Sequence, residues 1–128
     1  MSTIPSVLVV DDEVDISILF SKFLVESGFE STPFTDAQQA FDHFSQNINK
    51  YSLVIVDLMM PVFDGLTLAK KFKELNPEVK FILLTSYPDH DKIQNIIFDE
   101  YNIVSVLEKP IRLKELGLHV QKILSNTH

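Results

Sequence analysis

Short apolar runs alternate with amphipathic stretches along the whole chain, and the alternation predicts five strand–helix pairs in tandem. Ser6-Val7-Leu8-Val9-Val10 is a β-branched run of the kind that a strand buried on both faces needs. It stops abruptly at Asp11-Asp12-Glu13. Ile16, Leu19, Phe20, Phe23 and Leu24 then recur at i, i+3, i+4, i+7 and i+8, which predicts one apolar helix face, with Gly28 placed to cap its C-terminus. Residues 29–34 read as a weaker, more polar strand. Pro33 cannot donate a ladder hydrogen bond, so this strand belongs at a sheet edge. Asp36 opens a second helix, with Gln39 three residues on as in a capping box, and Ala40, Phe41, Phe44 and Ile48 form its apolar face.

The third strand, Leu53-Val54-Ile55-Val56, ends at Asp57. A loop over 58–63 leads to Asp64-Gly65, read as a cap and tight turn, and to a third helix with Leu68, Ala69, Phe72 and Leu75 inward. Asn76-Pro77 stops that helix. Residues 79–84 form the fourth strand, ending at Thr85-Ser86. A polar loop over 87–91 precedes a fourth helix bearing Ile93, Ile96, Ile97 and Tyr101. Residues 103–107 are the fifth strand, followed by Glu108-Lys109-Pro110. The last helix carries Leu113, Leu116, Val120, Ile123 and Leu124, and Gly117 weakens it modestly. Tandem β/α units imply a parallel sheet with helices on both faces, here an open doubly wound α/β sheet over 1–128, structured from about 5 to about 125.

Composition narrows the function classes. No apolar run approaches the roughly 20 residues that a membrane-spanning helix needs, and residues 1–5 carry no secretory pattern. Membrane insertion is not expected, and a cytoplasmic setting is. Without cysteine, thiolate metal sites are excluded. The formal net charge of −7 repels phosphate backbones, so direct nucleic-acid binding is not expected. His43, His90, His119 and His128 show no metal-binding spacing and read as surface residues.

The chemistry falls at the strand ends, where open α/β sheets bind ligands. Asp11 and Asp12 end the first strand, Asp57 the third, Thr85 the fourth and Lys109 the fifth. In a 2-1-3-4-5 strand order the first and third strands are neighbours, which brings three carboxylates together with a hydroxyl and an ammonium. Clustered carboxylates repel one another unless a cation or a proton relieves them, and an oxygen-only site of this kind fits Mg²⁺. Singly, each residue has a plain structural reading: Asp at a strand end as a turn residue, Lys before Pro as a solvated side chain, Thr85 as a strand-end hydroxyl. The combination points to a site. Glu13 has two readings, near the metal or favouring a helix N-terminus.

Val9-Val10-Asp11-Asp12-Glu13, then Asp57-Leu58-Met59-Met60-Pro61-Val62-Phe63-Asp64-Gly65, then Leu84-Thr85-Ser86 with Glu108-Lys109-Pro110, together resemble the response-regulator receiver family of two-component signalling, whose fold is flavodoxin-like. The resemblance implies that Asp57 accepts a phosphoryl group from the phosphohistidine of a sensor histidine kinase or phosphotransfer protein. It implies that Asp12 and Asp57 ligate Mg²⁺ directly, Asp11 largely through water, and Met59 by its backbone carbonyl. Thr85 and Lys109 would each hold a phosphoryl oxygen, with a cis Lys109-Pro110 bond. The surface around the fourth helix, fifth strand and fifth helix would change and signal to an output protein that the sequence does not name. No output domain is read in this chain, which either acts alone or belongs to a longer regulator.

Three positions depart from the family pattern. Val106 stands where the family often has an aromatic that reports on the phosphate, so coupling is expected through the 86–91 loop and the fourth helix instead. Tyr101-Asn102-Ile103 replaces Ala-Gly-Ala, and Asn102 is expected to take the left-handed turn that Gly would. Met59 and Tyr87, two residues beyond Asp57 and Thr85, are bulky and expected to slow hydrolysis of the phosphate. Two rivals to the switch reading are a phosphorylation-independent binding module, which Val106 favours, and an aspartyl phosphatase. The latter is opposed by Asp11-Asp12-Glu13-Val14, which lacks the Asp-x-Asp spacing of such enzymes. The switch is not expected to be an enzyme, although it assists its own phosphotransfer and dephosphorylation.

Overall fold

The computed structural model describes residues 4–86 and 98–125. Five strands, β1 (Ser6–Val10), β2 (Glu30–Phe34), β3 (Leu53–Asp57), β4 (Lys80–Thr85) and β5 (Ile103–Glu108), pair in parallel in the order β2-β1-β3-β4-β5. Helices α1 (Val14–Glu26), α2 (Ala37–Ser45), α3 (Gly65–Leu75), the stretch α4 (Phe98–Tyr101) and α5 (Leu113–Ser125) alternate with them. The expected strand order is the one found. Pro33 lies on the edge strand β2, opposite Val9, where its missing N–H leaves no gap in the sheet interior.

The period-2 alternation of the central strands divides their side chains between two cores. Leu8, Val10, Val54, Val56, Phe81 and Leu83 join Ala40, Phe44, Leu68 and Phe72 on one face of the sheet. Val7, Val9, Leu53, Ile55, Ile82 and Leu84 join Phe20, Leu24, Leu116 and Val120 on the other. Each fully buried Leu, Ile, Val or Phe contributes about 1.5–3 kcal/mol. Phe44 and Phe72 stack with centroids 4.2 Å apart, locking α2 to α3.

Two apolar positions differ from the expected faces. Leu19 is 46% exposed, because α1 turns Ser17, Phe20, Ser21 and Leu24 inward. The buried serines let the helix lie close to β2, and their hydroxyls are satisfied: Ser21 donates to Ser31 Oγ at 2.8 Å and Ser17 to the Val14 carbonyl at 2.9 Å. Leu75 is 37% exposed. It ends α3, and the next side chain, Asn76, turns back to donate to the Ile48 carbonyl at 2.6 Å. The expected Ile93, Ile96 and Ile97 of the fourth helix lie outside the described residues.

The caps follow the sequence reading. Gly28 takes φ 101° after α1, with Phe29 N–H bonded to Leu24 O and Gly28 N–H to Val25 O, a Schellman closure. Asp36 accepts from Gln39 N–H at 2.9 Å. Asn102 has φ 55°, the left-handed turn expected of it, and its amide donates to the carbonyls of Pro77 and Val79. Gly117 has a reason that helix propensity alone does not show. A Cβ there would meet the Phe23 ring at 2.8 Å, so the glycine lets α1 and α5 approach. His43 and His119 are half-buried rather than surface residues. His43 Nε2 lies 2.7 Å from the Tyr51 hydroxyl, which donates on to Thr32, and burial together with the nearby Lys50 charge lowers the His43 pKa.

Candidate functional site

The parallel sheet places the carboxyl ends of β1, β3, β4 and β5 on one rim, and the expected residues sit on it. Asp11 follows β1 directly. Its N–H donates to Phe34 O, and its Oδ1 accepts from Glu13 N–H at 2.9 Å, which turns the chain into α1. Asp57 is the last residue of β3 and only 5% exposed. Its Oδ1 accepts from Met59 N–H at 3.2 Å. Thr85, the last residue of β4, is fully buried, and among the described residues its hydroxyl makes only a long 3.5 Å contact to Ser86 O. Lys109 follows β5; its N–H donates to Thr85 O at 2.7 Å, and the Lys109–Pro110 bond is cis, as expected.

The Lys109 ammonium joins the strand ends. Its Nζ lies 2.8 Å from Asp11 Oδ2, 2.8 Å from Glu13 Oε1 and 3.2 Å from Asp57 Oδ2. Asp12 lies on the exposed side of the cluster. Carboxylate oxygens of Asp11, Asp12 and Asp57 all fall within 4.8 Å of one another. Among the described residues, buried Asp11 Oδ2 receives no well-directed hydrogen bond, only the ionic approach of Lys109. A fully buried oxygen left short of donors, in an oxygen-only set, is the environment that a hard divalent cation satisfies. The residues present therefore fit Mg²⁺.

The electrostatics follow from this crowding. Burial pushes the Asp57 carboxyl up to about 6, helped by the Asp11 charge and opposed by Lys109 and by the Met59 N–H. Burial likewise raises Asp11. Burial works against the Lys109 charge, but hydrogen bonds and Coulombic attraction from its carboxylate neighbours outweigh it and raise the pKa. The cluster stays anionic, with one ammonium among the carboxylates of Asp11, Asp12, Glu13 and Asp57, and is open toward Asp12.

The β3–α3 loop shapes one wall. Leu58 N–H bonds to Leu84 O, Gly65 N–H to Leu58 O, and Phe63 N–H to Pro61 O around Val62 at φ 72°. Asp64 caps α3 by accepting from Thr67 N–H, as expected. Gly65 was expected for a tight turn, but its φ is not left-handed. Its role is space: a Cβ would stand 2.5 Å from the Asp57 carbonyl oxygen. Met59 is 43% exposed beside Asp57. Tyr87 and the 87–91 loop lie outside the described residues. Val106 is half-buried opposite Leu83, packed against the α2–α3 side of the core.

Glu13 is the residue whose role the sequence left open. It occupies the N-cap position of α1 without a side-chain capping bond and reaches Lys109 instead. The signal lay in its place next to the acidic pair, but the partner, 96 residues away, is visible only once β1 and β5 are folded.

A family model described as the response regulator receiver domain matches residues 7–121. The response regulator receiver protein CpdR of Brucella abortus is 27% identical over 92% of this chain and 95% of its own length. RprY, a transcriptional regulatory protein of Bacteroides fragilis, is 30% identical over 92% of this chain, which spans 48% of RprY. A response regulator receiver domain protein from Clostridium thermocellum superposes with a TM-score of 0.85 at 24% identity, over 95% of both chains, a likeness of fold.

Proposed function

The chain belongs to the response regulator receiver family of two-component signalling, and from that premise we propose that Asp57 is its phosphoacceptor. The observation that carries the reading is the meeting of Asp57 with Lys109 at 3.2 Å inside a ring of Asp11 and Asp12 oxygens. A carboxylate oxygen of Asp57 attacks the phosphorus of a phosphohistidine. The phosphorus–nitrogen bond breaks, its electron pair returns to the imidazole, and the product is an acyl phosphate on Asp57. Two like charges approach in that step, so fixed positive charge is what the site must supply. Lys109 supplies one such charge, on a side chain held from β5. The Thr85 hydroxyl, which makes no short bond among the described residues, would donate to a second phosphoryl oxygen.

Asp11, Asp12, Asp57 and the Met59 carbonyl would hold Mg²⁺, which when bound offsets the charge on the attacking carboxylate and the phosphoryl oxygens. Receiver domains work with histidine kinases or phosphotransfer proteins, and the donor here is proposed to be one of these. The acyl phosphate is a reactive mixed anhydride, which suits a timed switch. The signal is proposed to leave through α4, β5 and α5 toward an output protein, without the aromatic rotation that Val106 precludes. Among the described residues no helix is long and apolar enough to cross a membrane. We place the switch in the cytoplasm, with neither direct nucleic-acid binding nor separate enzymatic turnover.

Amide spectra with beryllofluoride and Mg²⁺ test the reading against its rivals. A switch shifts resonances around the strand ends and the α4–β5–α5 face, and Asp57→Asn abolishes the shifts. A binding-only module shows no change with beryllofluoride, and steady turnover of an added phosphoester would instead mark a phosphatase.

A further inference from the structure

We propose that Glu13 is a positioning residue that holds Lys109 in the unphosphorylated protein and competes with the phosphoryl group for it. The inference rests on the phosphoacceptor reading of Asp57. An ammonium has three N–H donors; here two hydrogen-bond to Glu13 and Asp57, and Asp11 Oδ2 is an ionic neighbour at 2.8 Å. Lys109 cannot take a phosphoryl oxygen without releasing or sharing one of these partners.

The three partners are not equally releasable. Asp11 is fully buried, pinned by its bond from Glu13 N–H, and its Oδ2 has no other polar group to turn to. Asp57 loses its carboxylate charge when it becomes the acyl phosphate, and the phosphoryl group it then carries takes over its contact with Lys109. Glu13 is 59% exposed, so its carboxylate can return to water at little cost. Glu13 is thus the partner that gives way. In the resting state it adds a third anchor that keeps the Lys109 side chain aimed across the site. In the phosphorylated state it draws Lys109 back toward β1 and opposes the phosphoryl contact. Glu13→Gln removes the charge of this competitor and retains much of its volume.

Beryllofluoride with Mg²⁺ stands in for the phosphoryl group, and its affinity is measured by calorimetry on three proteins: wild type, Glu13→Gln and Asp15→Asn. Asp15 is exposed in the same helix turn and loses the same charge without a contact to Lys109. Glu13→Gln should bind about two- to fivefold tighter, the range of an exposed charge pair, and Asp15→Asn should match the wild type. The Lys109 ¹⁵Nζ resonance in the unliganded proteins should move in Glu13→Gln and not in Asp15→Asn. Equal or weaker binding by Glu13→Gln overturns the proposal, as does an equal gain in Asp15→Asn or an unmoved Lys109 resonance. A wild type that binds beryllofluoride while Glu13→Gln behaves identically removes Glu13 alone. A wild type that does not bind at all removes the phosphoacceptor reading with it.

Discussion

Gly65→Ala separates the need for space beside Asp57 from ordinary helix propensity. The added Cβ would stand 2.5 Å from the Asp57 carbonyl oxygen, 3.0 Å from its carbonyl carbon and 3.0 Å from Leu58 Cα. All three are backbone atoms, two of them in Asp57. Ordinary Cβ contacts begin near 3.4 Å, so β3 and α3 must part by up to about 0.9 Å. Overpacking of this kind costs about 1–3 kcal/mol. Alanine returns at most about 1 kcal/mol through helix propensity, so a net loss of about 1–2 kcal/mol is expected. With a urea slope near 2 kcal/mol/M, that moves the midpoint down by roughly 0.5–1 M. The displacement also falls on the backbone carbonyl next to the Cα that carries the Asp57 side chain, so phosphorylation by a small phosphodonor should slow by tenfold or more. Gly117→Ala is the control. Its Cβ meets the Phe23 ring at 2.8 Å, a side chain that can tilt, and it should shift the midpoint little and leave phosphorylation unchanged. If Gly65→Ala unfolds at the wild-type midpoint and is phosphorylated at the wild-type rate, the close packing of α3 on Asp57 is not what requires glycine.

Asp57→Asn should stabilise the metal-free protein at about pH 7.5 by on the order of 1 kcal/mol. The folded carboxyl is raised from 3.8 to about 6, so its ionised form costs stability above that range and the gain should fade as pH drops from 6 toward 4, in urea titrations across pH. Mg²⁺ should raise the wild-type melting temperature at neutral pH by mass action, and much less so in Asp12→Asn, as scanning calorimetry would register. Asn102→Ala should cost about 1–3 kcal/mol, through the left-handed turn and the two carbonyls it serves, and Asn102→Gly less, in denaturant unfolding. Met59→Asn should hasten loss of the phosphate a few-fold by admitting water beside Asp57, with Tyr87→Ala acting the same way; unchanged decay in both would remove the steric account.

Much of this arrangement was legible because it depends on local patterns. Buried β-branched runs ending in Asp or Thr, Pro33 on a weak strand, Asp36 and Asp64 before helices and Asn102 in place of a glycine each encode their structure within a few residues. The rim of acidic, hydroxyl and ammonium groups followed from strand order. What escaped depended on distances between elements. Leu19 satisfies the helical spacing as well as Ser17 does, and only the approach of α1 to β2 decides that two serines go inward. Gly65 and Gly117 read as a turn and a helix-weakening residue, because the atoms they make room for, Asp57 O and the Phe23 ring, are brought near by packing. Glu13 kept two readings, near the metal or at a helix N-terminus, because its partner Lys109 is brought near only by folding.

The central claim, that Asp57 carries the phosphate, is met most directly by intact mass. Wild type, Asp57→Asn and Lys109→Ala are incubated with Mg²⁺ and a small phosphodonor such as phosphoramidate. The wild type should gain one phosphoryl group, lost on incubation with hydroxylamine and located at Asp57 by peptide mapping. Asp57→Asn should gain none, and omission of Mg²⁺ should suppress the gain. A phosphoryl group on Asp57→Asn to the wild-type extent, or its absence from a folded, Mg²⁺-loaded wild type, would contradict the account.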